Sequence, residues 1–123
     1  MAKKILFVED EPTLQKELNE IFQQEGFKIL SAFDGEEGLK LAMKERPNLI
    51  LLDLILPKKD GFEVLKELKA DEKMKDIPVI VLTNLEGIGD VEKAIELGAT
   101  TYLVKANYKL EDVVTKIKDF LKD

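Results

Sequence analysis

Five side chains with reactive or charged chemistry each follow a short apolar run. Glu9 and Asp10 follow "ILFV", Asp53 follows "LILL", Thr83 follows "VIVL" and Lys105 follows "TYLV". Asp53 is the sharpest case, a lone acid inside the otherwise unbroken apolar stretch Leu49 to Leu56. A buried ionised group is expensive unless it is paired or bound to a cation. Carboxylates brought within a few ångströms of one another repel, and their pKa values rise unless a cation compensates. The chain contains no His and no Cys, so the only strong donors are oxygens, which favours a hard cation, Mg²⁺, over zinc or copper. Mg²⁺ together with the Lys105 ammonium would stabilise charge on a transferring phosphoryl group. A carboxylate so placed can itself be the nucleophile and form an aspartyl phosphate.

Such chemistry needs a framework that brings positions 9, 10, 53, 83 and 105 to one place. Apolar runs at 4–8, 27–32, 49–53, 79–83 and 101–104 alternate with amphipathic segments. The first, third and fourth runs are apolar on both alternating faces, as strands of a parallel sheet covered on both sides should be. Between runs the helical period takes over: Leu14, Leu18, Ile21 and Phe22 share one face, as do Leu110, Val113, Val114, Ile117 and Leu121. Pro12 suits a first helical turn, Asp34 with Glu37 and Asp60 with Glu63 have capping-box spacing, and Gly26 and Gly98 follow helical stretches as stops. The fourth helix starts somewhere between Glu86 and Val91. Strict alternation predicts an α/β fold, a doubly wound, flavodoxin-like parallel sheet of five strands in the order 2-1-3-4-5 with five helices. In that order ligands bind beyond the carboxyl ends of strands 1 and 3, where Glu9, Asp10 and Asp53 stand.

At 123 residues the chain is expected to be one domain, 1–123, burying about two thirds of its unfolded surface. Its net charge of -6, with 25 acidic and 19 basic residues interleaved, argues against direct nucleic-acid binding and against an anionic membrane surface. No apolar run approaches a membrane span and no signal-peptide core follows "MAKK", so no membrane insertion and a cytoplasmic location are expected.

The pieces "VEDE", "LLDLILPKKDG", "VLTN" and "YLVKA", in this order and at these separations, resemble the receiver domain of two-component response regulators over essentially the whole chain. The resemblance implies roles position by position. Asp53 matches the phosphoacceptor, which takes a phosphoryl group from a sensor histidine kinase or a phosphotransfer protein. Asp10 and Asp53 match direct Mg²⁺ ligands, Glu9 one acting through water, and Ile55 a backbone-carbonyl ligand. Thr83 and Lys105 match the groups that meet the phosphoryl oxygens, and Tyr102 the aromatic that swings inward with the switch. The resemblance also implies an output surface of helix 4, strand 5 and helix 5 that binds a downstream protein, in a monomer or weak phosphorylation-dependent dimer. Enzymatic activity is then limited to self-directed phosphoryl transfer and autodephosphorylation.

Two departures bear on mechanism. The family usually has a proline with a cis bond after the lysine, but here Ala106 follows Lys105. Either a cis bond persists before alanine, or the bond is trans and the loop differs. Ile55 and Leu85 lie two residues beyond Asp53 and Thr83, where the family tunes access of hydrolytic water, and neither can orient water. A slowly hydrolysed aspartyl phosphate is expected. Asp60 and Gly61 read as cap and turn, and "EGIGD" as a flexible loop rather than a dinucleotide fingerprint.

Competing readings are a receiver excised from a longer DNA-binding or enzymatic regulator, a Mg²⁺-dependent phosphohydrolase with an Asp nucleophile, and a pseudo-receiver scaffold. The ending "IKDFLKD" favours a free-standing protein over an excised one. The hydrolase reading lacks the second acid that such enzymes commonly need two residues after the nucleophile, where Ile55 stands. The intact acid, threonine and lysine set speaks against the scaffold.

Overall fold

The computed structural model describes residues 2–122. In chain order the elements are β1 (Lys4–Val8), α1 (Pro12–Gln24), β2 (Lys28–Ala32), α2 (Gly35–Glu45), β3 (Leu49–Leu52), α3 (Gly61–Ala70), β4 (Val79–Thr83), α4 (Ile88–Glu96), β5 (Thr101–Val104) and α5 (Leu110–Phe120). A 3-10 turn, Lys105–Asn107, joins β5 to α5. All strands pair in parallel in the order β2-β1-β3-β4-β5, the flavodoxin-like order that alternation predicts.

Alternating strand residues feed two separate cores. Leu6, Val8, Ile50, Leu52, Val79 and Val81 pack with Ala42 of α2, Val64, Leu65 and Leu68 of α3 and Ala94 of α4. Ile5, Phe7, Leu49, Leu51, Ile80, Leu82 and Leu103 pack on the other face with Leu18 and Phe22 of α1 and Val113, Val114 and Ile117 of α5. Each of these large side chains contributes roughly 1.5–3 kcal/mol by leaving water. Together they lock the register on which the strand ends depend. Among the described residues no helix is long and apolar enough to cross a membrane.

Helix and strand boundaries follow the local chemistry, with three differences from expectation. Asp34 and Asp60 do cap α2 and α3, accepting from the Glu37 and Glu63 amides at 2.8 and 3.1 Å. Neither Glu37 nor Glu63, however, closes the reciprocal half of a capping box; the Glu37 carboxylate accepts instead from the amide of Phe33, one residue before the cap. β2 begins at Lys28 rather than Phe27, whose ring turns edge-on to Phe22 at 6.0 Å. β3 ends at Leu52, so Asp53 is the first residue past the strand, although its amide still donates to the Val8 carbonyl at 3.0 Å.

Gly61 is more than a turn residue. It opens α3 directly against the backbone that carries Asp53, donating to the Leu54 carbonyl at 2.9 Å. A Cβ there would sit 2.3 Å from the Asp53 carbonyl oxygen and 2.4 Å from the Leu54 Cα, so the backbone would have to move. Gly61→Ala is therefore expected to lower stability in urea unfolding by about 1–3 kcal/mol, the usual range for overpacking. Gly89→Ala, inside α4 with nothing within 4 Å of the added methyl, is expected to raise it by up to about 1 kcal/mol. Equal changes at the two positions would show that α3 does not pin the Asp53–Leu54 peptide.

Candidate functional site

The carboxyl edge of the sheet gathers the residues singled out from the sequence. Glu9 and Asp10 leave the end of β1, Asp53 leaves β3, Thr83 closes β4 and Lys105 begins the turn after β5. Glu9, Asp10 and Asp53 each offer a carboxylate oxygen, and these atoms lie within 4.8 Å of one another. Glu9 is 1% exposed and Asp53 4%, whereas Asp10 is open to solvent. The set is thus two sunken acids and one at the mouth.

Lys105 reaches into this group. Its Nζ lies 2.7 Å from Glu9 Oε1 and donates to Asp53 Oδ2 at 3.0 Å. The Glu9 contact is an ion pair off the line of a regular hydrogen bond, because Oε1 has no hydrogen-bond partner of normal geometry. The other carboxylate oxygens are held by main chain: Glu9 Oε2 accepts from the Glu11 amide at 3.1 Å and Asp53 Oδ1 from the Ile55 amide at 3.2 Å. Among the described residues no peptide bond is cis. The Lys105–Ala106 bond is therefore trans, the second of the two expected alternatives, and the lysine still reaches both acids.

Burial, opposed by the Lys105 ammonium and reinforced by the charge of Asp53, pushes the Glu9 carboxyl up to about 7. Burial alone would lower Lys105, but Glu9 and Asp53 outweigh it and hold the ammonium above its ordinary range. The arrangement is short of positive charge. One ammonium serves three clustered carboxylates, a buried Glu9 oxygen lacks a proper donor, and every available ligand is a hard oxygen. These features fit a hard divalent cation held by Asp10, Asp53 and Glu9.

The remaining expected residues take distinct positions. Thr83 is fully buried, and its hydroxyl accepts only a long bond, 3.5 Å, from the Leu85 amide. Tyr102 is half-buried and donates from its hydroxyl to the Leu85 carbonyl at 2.9 Å, so the ring already ties β5 to the loop after β4. Burial, with smaller effects of Asp90 and Asp53, raises its phenol above the ordinary range. Ile55 is 55% exposed at the rim of the acid cluster, while Leu85 is half-buried against the core under α3 and α4. A concavity of about 550 Å³ lined by Leu39, Lys40 and Met43 lies on α2, away from this chemistry.

Sequence reasoning overlooked one residue. Gln15 lies on α1 with its side chain buried, and its carboxamide nitrogen reaches the carbonyls of Phe7, Glu9 and Ala32. In the sequence it is one polar residue beside Leu14, with no motif to mark it.

Fold and site together define a doubly wound α/β protein with an acidic, cation-competent pocket at the switch point of its sheet. The family model described as the response regulator receiver domain matches residues 5–118, and the chain belongs to that family. It is 38% identical over 122 residues to the alkaline phosphatase synthesis transcriptional regulatory protein PhoP of Bacillus subtilis, covering 99% of this chain and 50% of PhoP. It is 35% identical over 121 residues to sporulation initiation phosphotransferase F of the same organism, covering 98% of this chain and 95% of that one. The crystal structure of the Mn²⁺-bound response regulator Rcp1 superposes with a TM-score of 0.83 at 36% identity, covering 95% of this chain and 90% of Rcp1. The chain spans about half the length of several curated relatives it matches and nearly all of the phosphotransferase.

The raised carboxyl of Glu9 has a sign that can be checked. Its folded pKa of about 7 exceeds the ordinary 4.5, so the folded state holds the proton more tightly. The stability this group contributes is present below 4.5 and is lost as pH rises through about 7. The raised Lys105 value adds a loss only above 10.5, outside that window. In metal-free protein the urea midpoint should fall over the Glu9 window, and Glu9→Gln, which stays neutral, should flatten the fall. An unchanged slope in Glu9→Gln would assign the dependence to other groups.

Proposed function

We propose that residues 1–123 act as a phosphoacceptor receiver in which Asp53 takes a phosphoryl group from a sensor histidine kinase or a phosphotransfer protein. The observation that carries this reading is the Lys105 ammonium seated between the two sunken acids, Asp53 and Glu9, of an all-oxygen pocket. In the transfer an Asp53 carboxylate oxygen attacks phosphorus, a P–O bond forms, the P–N bond to the donor imidazole breaks, and the electron pair leaves with the imidazole. Asp53 is held for this by the Ile55 amide on one oxygen, while the other is paired with Lys105. The ammonium is placed to follow the charge onto the phosphoryl oxygens.

Asp10 and Asp53 would hold Mg²⁺ directly, Glu9 through water, and the Ile55 carbonyl would complete the protein's share. When bound, this ion neutralises charge on the attacking and transferred groups. Thr83 supplies a hydroxyl toward the phosphoryl oxygens, and Tyr102 follows through the loop it already touches at Leu85. A phosphoryl group adds nearly two negative charges at neutral pH, selecting an active arrangement of the α4, β5 and α5 surface for a downstream protein. Ala94 is the only α4 residue that is fully buried, so little packing energy opposes such a shift. The protein works in the cytoplasm as a signalling module whose chemistry is confined to its own aspartate. Relatives of about twice this length join the same unit to further sequence, and the phosphotransferase adds almost none, so both arrangements of receiver and effector accommodate this reading.

Incubation with Mg²⁺ and acetyl phosphate should add one phosphoryl group to the wild type by mass and none to Asp53→Asn. Absence of any Mg²⁺-dependent gain in the wild type would overturn the receiver assignment. Exposed Ile55 and tucked Leu85 leave no side chain to orient hydrolytic water, so the phosphoryl group should be lost slowly. Ile55→Asn or Leu85→Glu should speed that loss severalfold, followed by mass or by phosphate release. Unchanged rates in both would remove these positions from control of hydrolysis.

A further inference from the structure

We infer that Gln15 is a positioning residue for the acidic pair, holding the Glu9–Asp10 peptide in the orientation from which the Asp10 carboxylate meets a cation. The inference rests on the reading of Glu9, Asp10 and Asp53 as a Mg²⁺ site. Gln15 is 2% exposed and sits one turn into α1. Its Nε2 lies 2.9 Å from the Phe7 carbonyl, 3.0 Å from that of Ala32 and 3.1 Å from that of Glu9. Three carbonyl oxygens around one atom require a donor there, so the nitrogen and not the oxygen of the carboxamide faces them. The oxygen is left buried and without a partner. Burial of an unpartnered polar atom costs about 1–3 kcal/mol. As packing, the side chain is a poor choice; what it adds is two protons at the end of β1.

Those protons land where the acid pair is set. The Glu9 carbonyl and the Asp10 amide belong to one planar peptide unit, so a bond to the carbonyl orients the plane from which the Asp10 side chain departs. Neighbouring contacts pin the rest of the turn: the Glu9 amide donates to Ala32 at 3.0 Å and the Glu11 amide to Glu9 Oε2 at 3.1 Å. Among the described residues nothing bonds the Asp10 carboxylate itself. Its aim therefore depends on the backbone beneath it, and Gln15 supplies the side-chain bond to that backbone. A group acting on a metal ligand from behind typically changes affinity about 10–100-fold when removed.

The test uses the whole chain and separates positioning from general stability. Gln15→Met keeps the length and loses the donor, Gln15→Asn keeps the carboxamide but draws it back by one methylene, and Phe22→Leu lowers stability on the same helix away from the acids. Mg²⁺ affinity is read by NMR titration, and exchange of the Glu9 and Glu11 amide protons is read in metal-free protein. Gln15→Met should weaken Mg²⁺ binding about tenfold or more and speed exchange at Glu9 and Glu11 relative to central β1 amides. Gln15→Asn should shift both in the same direction, and it carries the test if Gln15→Met does not fold. Phe22→Leu should leave both near wild type. Gln15 variants with wild-type Mg²⁺ affinity and exchange, or a Phe22→Leu protein that loses Mg²⁺ binding equally, would overturn the inference. If the wild type itself shows no response to Mg²⁺, the metal reading fails, and amide exchange at Glu9 and Glu11 decides the positioning role alone.

Discussion

The crowding of Glu9, Asp10 and Asp53 at one edge of the sheet, answered by the single ammonium of Lys105, is the constraint around which the structure is arranged. Like charges this close destabilise one another, and in a partly desolvated setting the penalty grows. Lys105 offsets part of it, while burial, reinforced by the charge of Asp53, still holds the Glu9 carboxyl well above its ordinary value. A second cation entering such a site meets negative charge already in place. The protein therefore carries a standing electrostatic imbalance that binding can relieve.

Holding repelling groups together needs a stiff support, and the parallel sheet provides it. β3 is buried at every position, and its ladder to β1 runs through Leu52 and Val8 before the Asp53 amide closes it on the Val8 carbonyl. Gly61 brings α3 onto the next peptide, Asp53–Leu54. Asp53 is thus fixed from the strand below and the helix beside it. α4 contrasts with this: it buries Ala94 alone, and Ile88 and Ile95 face solvent. Elements with few buried contacts open at the low end of a protein's stability range. Rigidity surrounds the acids, and looseness lies in α4.

Much of this arrangement was legible from local pattern. Both-face apolar runs marked the interior strands, the 3.6-residue stripe marked α1 and α5, and Gly26 and Gly98 marked helix ends, where both adopt positive φ. The acids, Thr83 and Lys105 were visible because each follows an apolar run, and topology sends all such ends to one edge. The end of β3 was placed one residue too far, since Asp53 keeps a ladder-like amide bond without strand geometry. The 3-10 turn at Lys105 had no signal, because its three residues carry no cap or stop. Tyr102 was expected to swing inward on switching, and its present bond to the Leu85 carbonyl depends on a loop whose path local pattern does not specify.

Residue types and their periodicity determined the order of elements, the two cores and the identity of the groups at the sheet's carboxyl edge, because burial of alternating or helical faces is decided by neighbours along the chain. Only the tertiary structure decided that Lys105 bridges Glu9 and Asp53 through a trans bond, that Glu9 is sunken while Asp10 is open, and that Gln15 is buried against three carbonyls. Those outcomes are set by distances and desolvation between residues far apart in sequence, and in the case of Gln15 by where β1 stops relative to a helix packed across it. A glutamine beside a leucine reads as a helix surface until the strand end it serves is in view.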